Sequence, residues 1–148
     1  MVLALLAALY AIGAALAGTR GDRRWVDSSR RATYAVAALL SAAVVIIEAA
    51  FLRSDFSFQL VADHSSTTTP TGYKLTAMWS SQGGSLLLWA WVLSLASSAV
   101  LYATRHRHRE IVPWATAVLM GVGAFFIGLM LLAGADANPF ARLDPAPA

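Results

Sequence analysis

The apolar residues of this chain gather into four blocks, and nearly every charge is left between blocks. A helix on a soluble core keeps a polar stripe along one face, and these blocks have none. They run over about 2–18, 32–52, 85–104 and 111–133. At ~1.5 Å of rise per residue, the last three reach ~30 Å or more, enough for a hydrocarbon core; the first is at the short end of the spanning range. The pattern predicts an all-α integral membrane protein of four transmembrane helices, with a long connection over 53–84.

That connection is far longer than the few residues that join neighbouring helices by default, and loops of this length carry function or disorder. Its run Ser65-Ser66-Thr67-Thr68-Thr69 reads as a flexible stretch. Thr69-Pro70 then reads as a helix start, the threonine capping and the proline preset for the first turn. Leu75, Met78 and Trp79 follow at i, i+3 and i+4. They predict a short interfacial helix with Trp79 at headgroup depth. Beyond it, Gly83-Gly84 permits a sharp redirection, and Ser85 is expected to cap the third span.

Composition agrees: 58% of residues are hydrophobic and 13% charged, against about a quarter charged in soluble domains. The net charge of +3 does not signal nucleic acid, because the arginines sit in short clusters flanking apolar blocks instead of on one basic face. Eight Lys or Arg fall in the loops 19–31 and 105–110, against three in the long loop and tail. The short loops are therefore expected in the cytoplasm and both termini outside. His106 and His108 alternate with arginines there, as a solvated cationic turn would. Ala15-Leu16-Ala17 has the form of a signal-peptide cleavage site, but no positive charge precedes the apolar run and Arg20, Arg23 and Arg24 follow it, which favours a retained anchor. Without cysteine, the chain brings no disulfide, thiolate metal site or redox pair.

Few residues carry chemistry. Glu48 is the one acidic residue inside a block, and an ionisable group in a span is a functional candidate by default. Lying about 6 Å from the end of its span, it could also pair with Arg53. His64 suits iron as a neutral imidazole, though a solvated loop histidine explains it as well. Trp89 and Trp91 are belt aromatics or a flat wall for a planar ligand. Gly84 and Ser85 are a turn with a cap, or face a ligand. Small residues at spacing four, Ala7-Ala11-Ala15, Ala38-Ala42, Ala117-Gly121 and Ala124-Gly128, mark expected sites of close helix approach. No Ser-His-Asp, P-loop or dinucleotide pattern occurs, and no catalytic residue or metal site is expected.

Several spaced motifs agree in order with one family. Asp55-Phe56-Ser57-Phe58, Val61-Ala62-Asp63-His64-Ser65, Pro70, Tyr73-Lys74, Trp79 and Gly84-Ser85-Leu86-Leu87-Leu88-Trp89 resemble the N-terminal part of the haem-lyase subunits of cytochrome c biogenesis, the CcmF/CcsA haem-handling family. Asn138-Pro139-Phe140 and Pro145-Ala146-Pro147-Ala148 resemble the same region. Gly83 departs from the pattern, where the family often has Glu or a small residue.

The resemblance implies haem as the cofactor handled. It also implies apocytochrome c, a haem chaperone and other maturation subunits as partners, with the lipid bilayer of the bacterial inner membrane as solvent. It further implies that the haem ligands and tryptophan-rich segment lie downstream, so residues 1–148 are expected to be the N-terminal scaffold of a larger subunit and not to ligate haem alone. Trp79, Gly84, Ser85, Trp89 and His64 are its haem- or partner-facing candidates. The competing reading is a small transporter or respiratory-complex subunit using Glu48 as a proton or ion site.

Overall fold

Helix caps fall earlier along the chain than the apolar blocks do. The computed structural model describes residues 1–64, 66, 70–106 and 110–143, and only the backbone of 71, 74, 75 and 77. Its helices are α1 (Val2–Gly18), α2 (Arg23–Arg53), α3 (Gln59–His64), α4 (Thr71–Ser80), α5 (Gln82–Ala103) and α6 (Val112–Leu132), with a 3-10 turn at Ala135–Ala137. α2 begins nine residues before the expected 32, because Asp22 caps it by accepting from the Arg24 N–H. Most of the expected loop 19–31 is thus the first two turns of a 31-residue helix, ~46 Å long and longer than a hydrocarbon core is thick.

α5 likewise starts at Gln82, and its cap is Ser81 instead of Ser85. Ser81 Oγ accepts from the Gly84 N–H at 3.1 Å and donates to the Met78 carbonyl at 2.9 Å. Ser85 is already inside the first turn, donating to the Gln82 carbonyl at 2.9 Å. The bend from α4 into α5 is made by Ser81 in extended conformation, φ −91° and ψ 157°. Gly84 is needed for a different reason than redirection: a Cβ there would collide with the Met78 carbonyl.

α4 forms where the sequence predicts a helix, with Pro70 at its N-cap and no side-chain cap bond. The expected cap Thr69 lies outside the described residues, as do the rest of the Ser/Thr run apart from Ser66, the His108 turn and the closing Pro-Ala repeat. The Leu75 side chain of the predicted apolar face is likewise outside them. Of the other two residues of that face, Met78 is buried and Trp79 is 51% exposed.

α1 and α5 each pack against both α2 and α6, so the four long helices form a square in the order α1–α2–α5–α6, with α4 laid against α2 and α5. α2, α5 and α6 are each long and apolar enough to cross a membrane, while α1 is an apolar helix of 17 residues. The core takes Ala4, Ala8 and Ala11 from α1, Val36, Leu40 and Ile47 from α2, Leu87 from α5, and Met120 and Ile127 from α6. Small residues matter at α1, where Ala11 and Ala15 are fully buried and Ala7 is half-buried. On α2 the small-residue expectation fails, and of the α6 pairs Ala124 packs against the core. Ala38 and Ala42 are exposed, and a Cβ on Gly121 or Gly128 would touch nothing within 4 Å. Polar bonds fix the face of α2 instead: Ser29 donates to the Ala11 carbonyl at 2.9 Å, and Tyr10 and Ser28 bond at 2.7 Å. These aim Thr33, Val36, Ala37 and Leu40 inward, which turns Ala38 and Ala42 out.

Candidate functional site

At the end opposite the arginine-rich turns, the segment leaving α2 and the segment leaving α6 are clasped together. Phe58 and Arg142 form an antiparallel bridge, with the Gln59 N–H on the Ala141 carbonyl at 2.9 Å and the Leu143 N–H on the Ser57 carbonyl at 3.1 Å. Phe58 meets Phe140 edge to face at 6.4 Å, and the Arg142 guanidinium lies 5.2 Å from the Phe58 ring centre. Gln59 Nε2 donates to Asp136 at 3.3 Å. Two motifs far apart in sequence, Asp55-Phe56-Ser57-Phe58 and Asn138-Pro139-Phe140, are therefore one structural unit.

Asp55 organises its own side of the clasp. One carboxylate oxygen accepts from the Ser57 hydroxyl at 2.6 Å and from the Ser57 N–H at 3.1 Å. The hydroxyl bond, then the backbone bond, hold the Asp55 carboxyl below the usual carboxylate range, with the Arg142 charge assisting against slight desolvation.

Beneath the clasp lies a cleft of about 270 Å³ that brings His64 beside Asp63, Ser81, Gln82, Asp136 and Asn138. His64 is bonded within its own helix, Nδ1 to the Leu60 carbonyl at 3.2 Å. Gly83 packs tightly against the 3-10 turn: a Cβ there would stand 3.2 Å from the carbonyl oxygens of Asp136 and Ala137. That crowding accounts for a small residue at this departure from the family pattern. Ser81, Asp136 and Gln59 were not singled out from sequence, and Asn138 only as part of a family motif. Ser81 carried a legible signal, a serine three residues ahead of Gly84 at a helix start; the other three are placed only by the clasp.

The tryptophans divide. Trp79 and Trp89 are 51% and 62% exposed on the outside of the bundle, away from the cleft. Trp91 instead turns inward, and its indole N–H donates to Ser41 Oγ at 2.8 Å. Glu48 is one heptad along α2 from Ser41 and shares its face. Stepping one heptad along antiparallel α5 from Trp91 reaches Gly84, so Glu48 lies at the level of the α5 start. Its Oε2 is buried and has no hydrogen-bond partner. A Glu48–Arg53 pair is not formed: among the described residues the one ion pair is Arg30–Asp27, and Arg53 is exposed.

Haem does not fit this cleft. The volume of about 270 Å³ is below the ~300–1,000 Å³ usual for small-molecule pockets. His64 has no second imidazole beside it, and no cluster of three metal-ligating side chains exists among the described residues.

Fold and site define a helical membrane-protein chain whose loop end is closed by a polar clasp. No protein-family model matches it. Over 146 residues it is 37% identical to the cytochrome c-type biogenesis protein CcmF of Pseudomonas aeruginosa, covering 98% of this chain and 22% of that protein. CcmF of Haemophilus influenzae is 36% identical over 85% of the chain and 19% of its own length. The cytochrome c-type biogenesis protein ccl1 of Rhodobacter capsulatus is 34% identical over 99% and 22%. The solved structure of cytochrome c heme lyase CcmF superposes with a TM-score of 0.85 and 32% identity, over 95% of this chain and 23% of that one. The chain is of the CcmF type and spans about a fifth of the length of the curated relatives it matches.

Proposed function

We propose that this chain is the bundle portion of a cytochrome c haem lyase subunit in the bacterial inner membrane, scaffolding haem delivery to apocytochrome c. The observation that carries this reading is the superposition on cytochrome c heme lyase CcmF over 95% of the chain. In this reading the four long helices all cross the membrane, α1 included. With eight of the eleven Lys and Arg at one end, that end faces the cytoplasm and the clasp faces outward. Haem is the substrate handled by the complete subunit, and the clasp with Trp79 and Ser85 offers the docking surface for a haem chaperone, an apocytochrome or another maturation subunit.

The test is a transplant. Replacing the corresponding region of Pseudomonas aeruginosa CcmF by this chain is expected to retain covalent haem on c-type cytochromes. Loss of all holocytochrome while the chimera accumulates normally in the membrane would overturn the assignment. The chain purified alone in detergent with haem is expected to give no stoichiometric Soret band; a band abolished by His64→Ala would overturn the scaffold role.

A further inference from the structure

A cleft larger than the one beneath the clasp is at the other end, and the clasp reading does not use it. A cleft of about 660 Å³ opens between the α1–α2 turn and the α5–α6 turn, lined by Arg23, Arg30, Arg105 and His106 together with Asp27 and Glu110. Its volume is within the ordinary range for ligand sites. Its cations are under-used. Arg23 and Arg105 make no ion pair among the described residues. Arg30 bonds Asp27 through one terminal nitrogen at 3.4 Å, while its Nε is buried without any acceptor. Arg105 is held in place by stacking on Tyr102, 4.4 Å from the ring centre.

Arg23 and Arg105 are left without a carboxylate partner among the described residues, and the matching acceptor for several guanidinium-bearing residues lining one cleft is a phosphate, taken bidentately. The depth of the cleft favours the same chemistry. Trp25 and Trp114, next in sequence to the lining residues Val26 and Pro113, are 43% and 58% exposed, as aromatic residues are at the headgroup layer.

We propose that this cleft binds a phosphate-bearing ligand, the phosphodiester of an anionic phospholipid or free phosphate, on Arg23, Arg30 and Arg105. Glu110 and Asp27 then stand as acceptors for hydroxyl groups beside the phosphate, as in a glycerol headgroup. The inference needs only that this end meets the headgroup layer and is independent of the haem-lyase reading.

The chain is purified in detergent, and retention of phosphatidylglycerol and phosphatidylcholine is compared by native mass spectrometry, with inorganic phosphate as competitor. Phosphatidylglycerol is expected to be retained roughly tenfold better than phosphatidylcholine, and the double variant Arg23→Gln/Arg105→Gln to lose most of that preference. Helical content and thermal midpoint without lipid establish that the variants are folded. Arg24→Gln/Arg31→Gln, two arginines of the same end outside the cleft, should leave the preference intact. Millimolar phosphate that displaces the lipid assigns the site to free phosphate as well; phosphate without effect assigns it to the lipid. Equal retention of the two lipids, or equal loss in both double variants, overturns the site.

Discussion

The indole N–H of Trp91 donates to Ser41 Oγ at 2.8 Å, and Ser41 in turn donates to the Ala37 carbonyl at 2.7 Å. This relay ties α5 to α2 within the apolar bundle, where water is not at hand to replace either bond. Ser41→Ala leaves the indole without an acceptor, while Trp91→Phe removes donor and demand together. Ser41→Ala is therefore expected to cost about 1–2 kcal/mol, read as a lower unfolding midpoint in detergent. In a double-mutant cycle, adding Ser41→Ala to Trp91→Phe should cost clearly less than Ser41→Ala alone; full additivity would mean that the bond contributes nothing.

The corner between α4 and α5 depends on a missing side chain. Gly84→Ala places a methyl against the Met78 carbonyl, with Ser81 Oγ 2.8 Å away, so backbone has to move and the Ser81 cap is disturbed. A loss of about 1–3 kcal/mol is expected, with earlier proteolysis near Ser80. Gly83→Ala meets its nearest atoms at 3.2 Å and should be milder. The reverse order in a thermal scan would show that the corner is not set by close approach.

Acid should loosen the clasp. The Asp55 carboxyl is held low in the folded chain, so its contribution is fully present above the ordinary carboxylate value of about 4. It declines as pH falls below that value and through the lower folded one. Protease cutting between Asp55 and Gln59 is expected to accelerate over that interval, and Asp55→Asn to remove the pH dependence. An unchanged acid limb in Asp55→Asn would exclude this carboxylate as the cause.

Glu48 lies in a helix long and apolar enough to cross a membrane, and its Oε2 is buried with no donor among the described residues. In the chain by itself, Glu48→Met, which keeps the length and removes the unpaired polar atom, is expected to raise stability by about 1–3 kcal/mol, the cost of an unsatisfied buried polar group. The thermal midpoint decides, and a fall instead of a rise would mean that the carboxylate is satisfied in the native bundle.

The helical class, the four apolar blocks and the asymmetry of charge are properties of residue identity along the chain, because transfer of each segment from water is nearly a sum over its own side chains. Gly84 and Glu48 were legible as special for the same reason: a glycine at a corner and a carboxylate in an apolar run break a local rule. Helix ends were less legible. Hydropathy marks where a segment prefers lipid, whereas Asp22 and Ser81 mark where backbone N–H groups find acceptors, and these differ by nine residues at α2.

Which face of a helix turns inward was decided only by the folded chain. Ala38 and Ala42 share the spacing of buried residues yet are exposed, because hydrogen bonds from Ser29 and Trp91 fix the rotation of α2. The meeting of Phe58 with Phe140 and Arg142, and of Arg23 with Arg105 across one cleft, has no local signature. Both bring together residues about eighty positions apart, a proximity created by packing the square of helices and carried by no segment on its own.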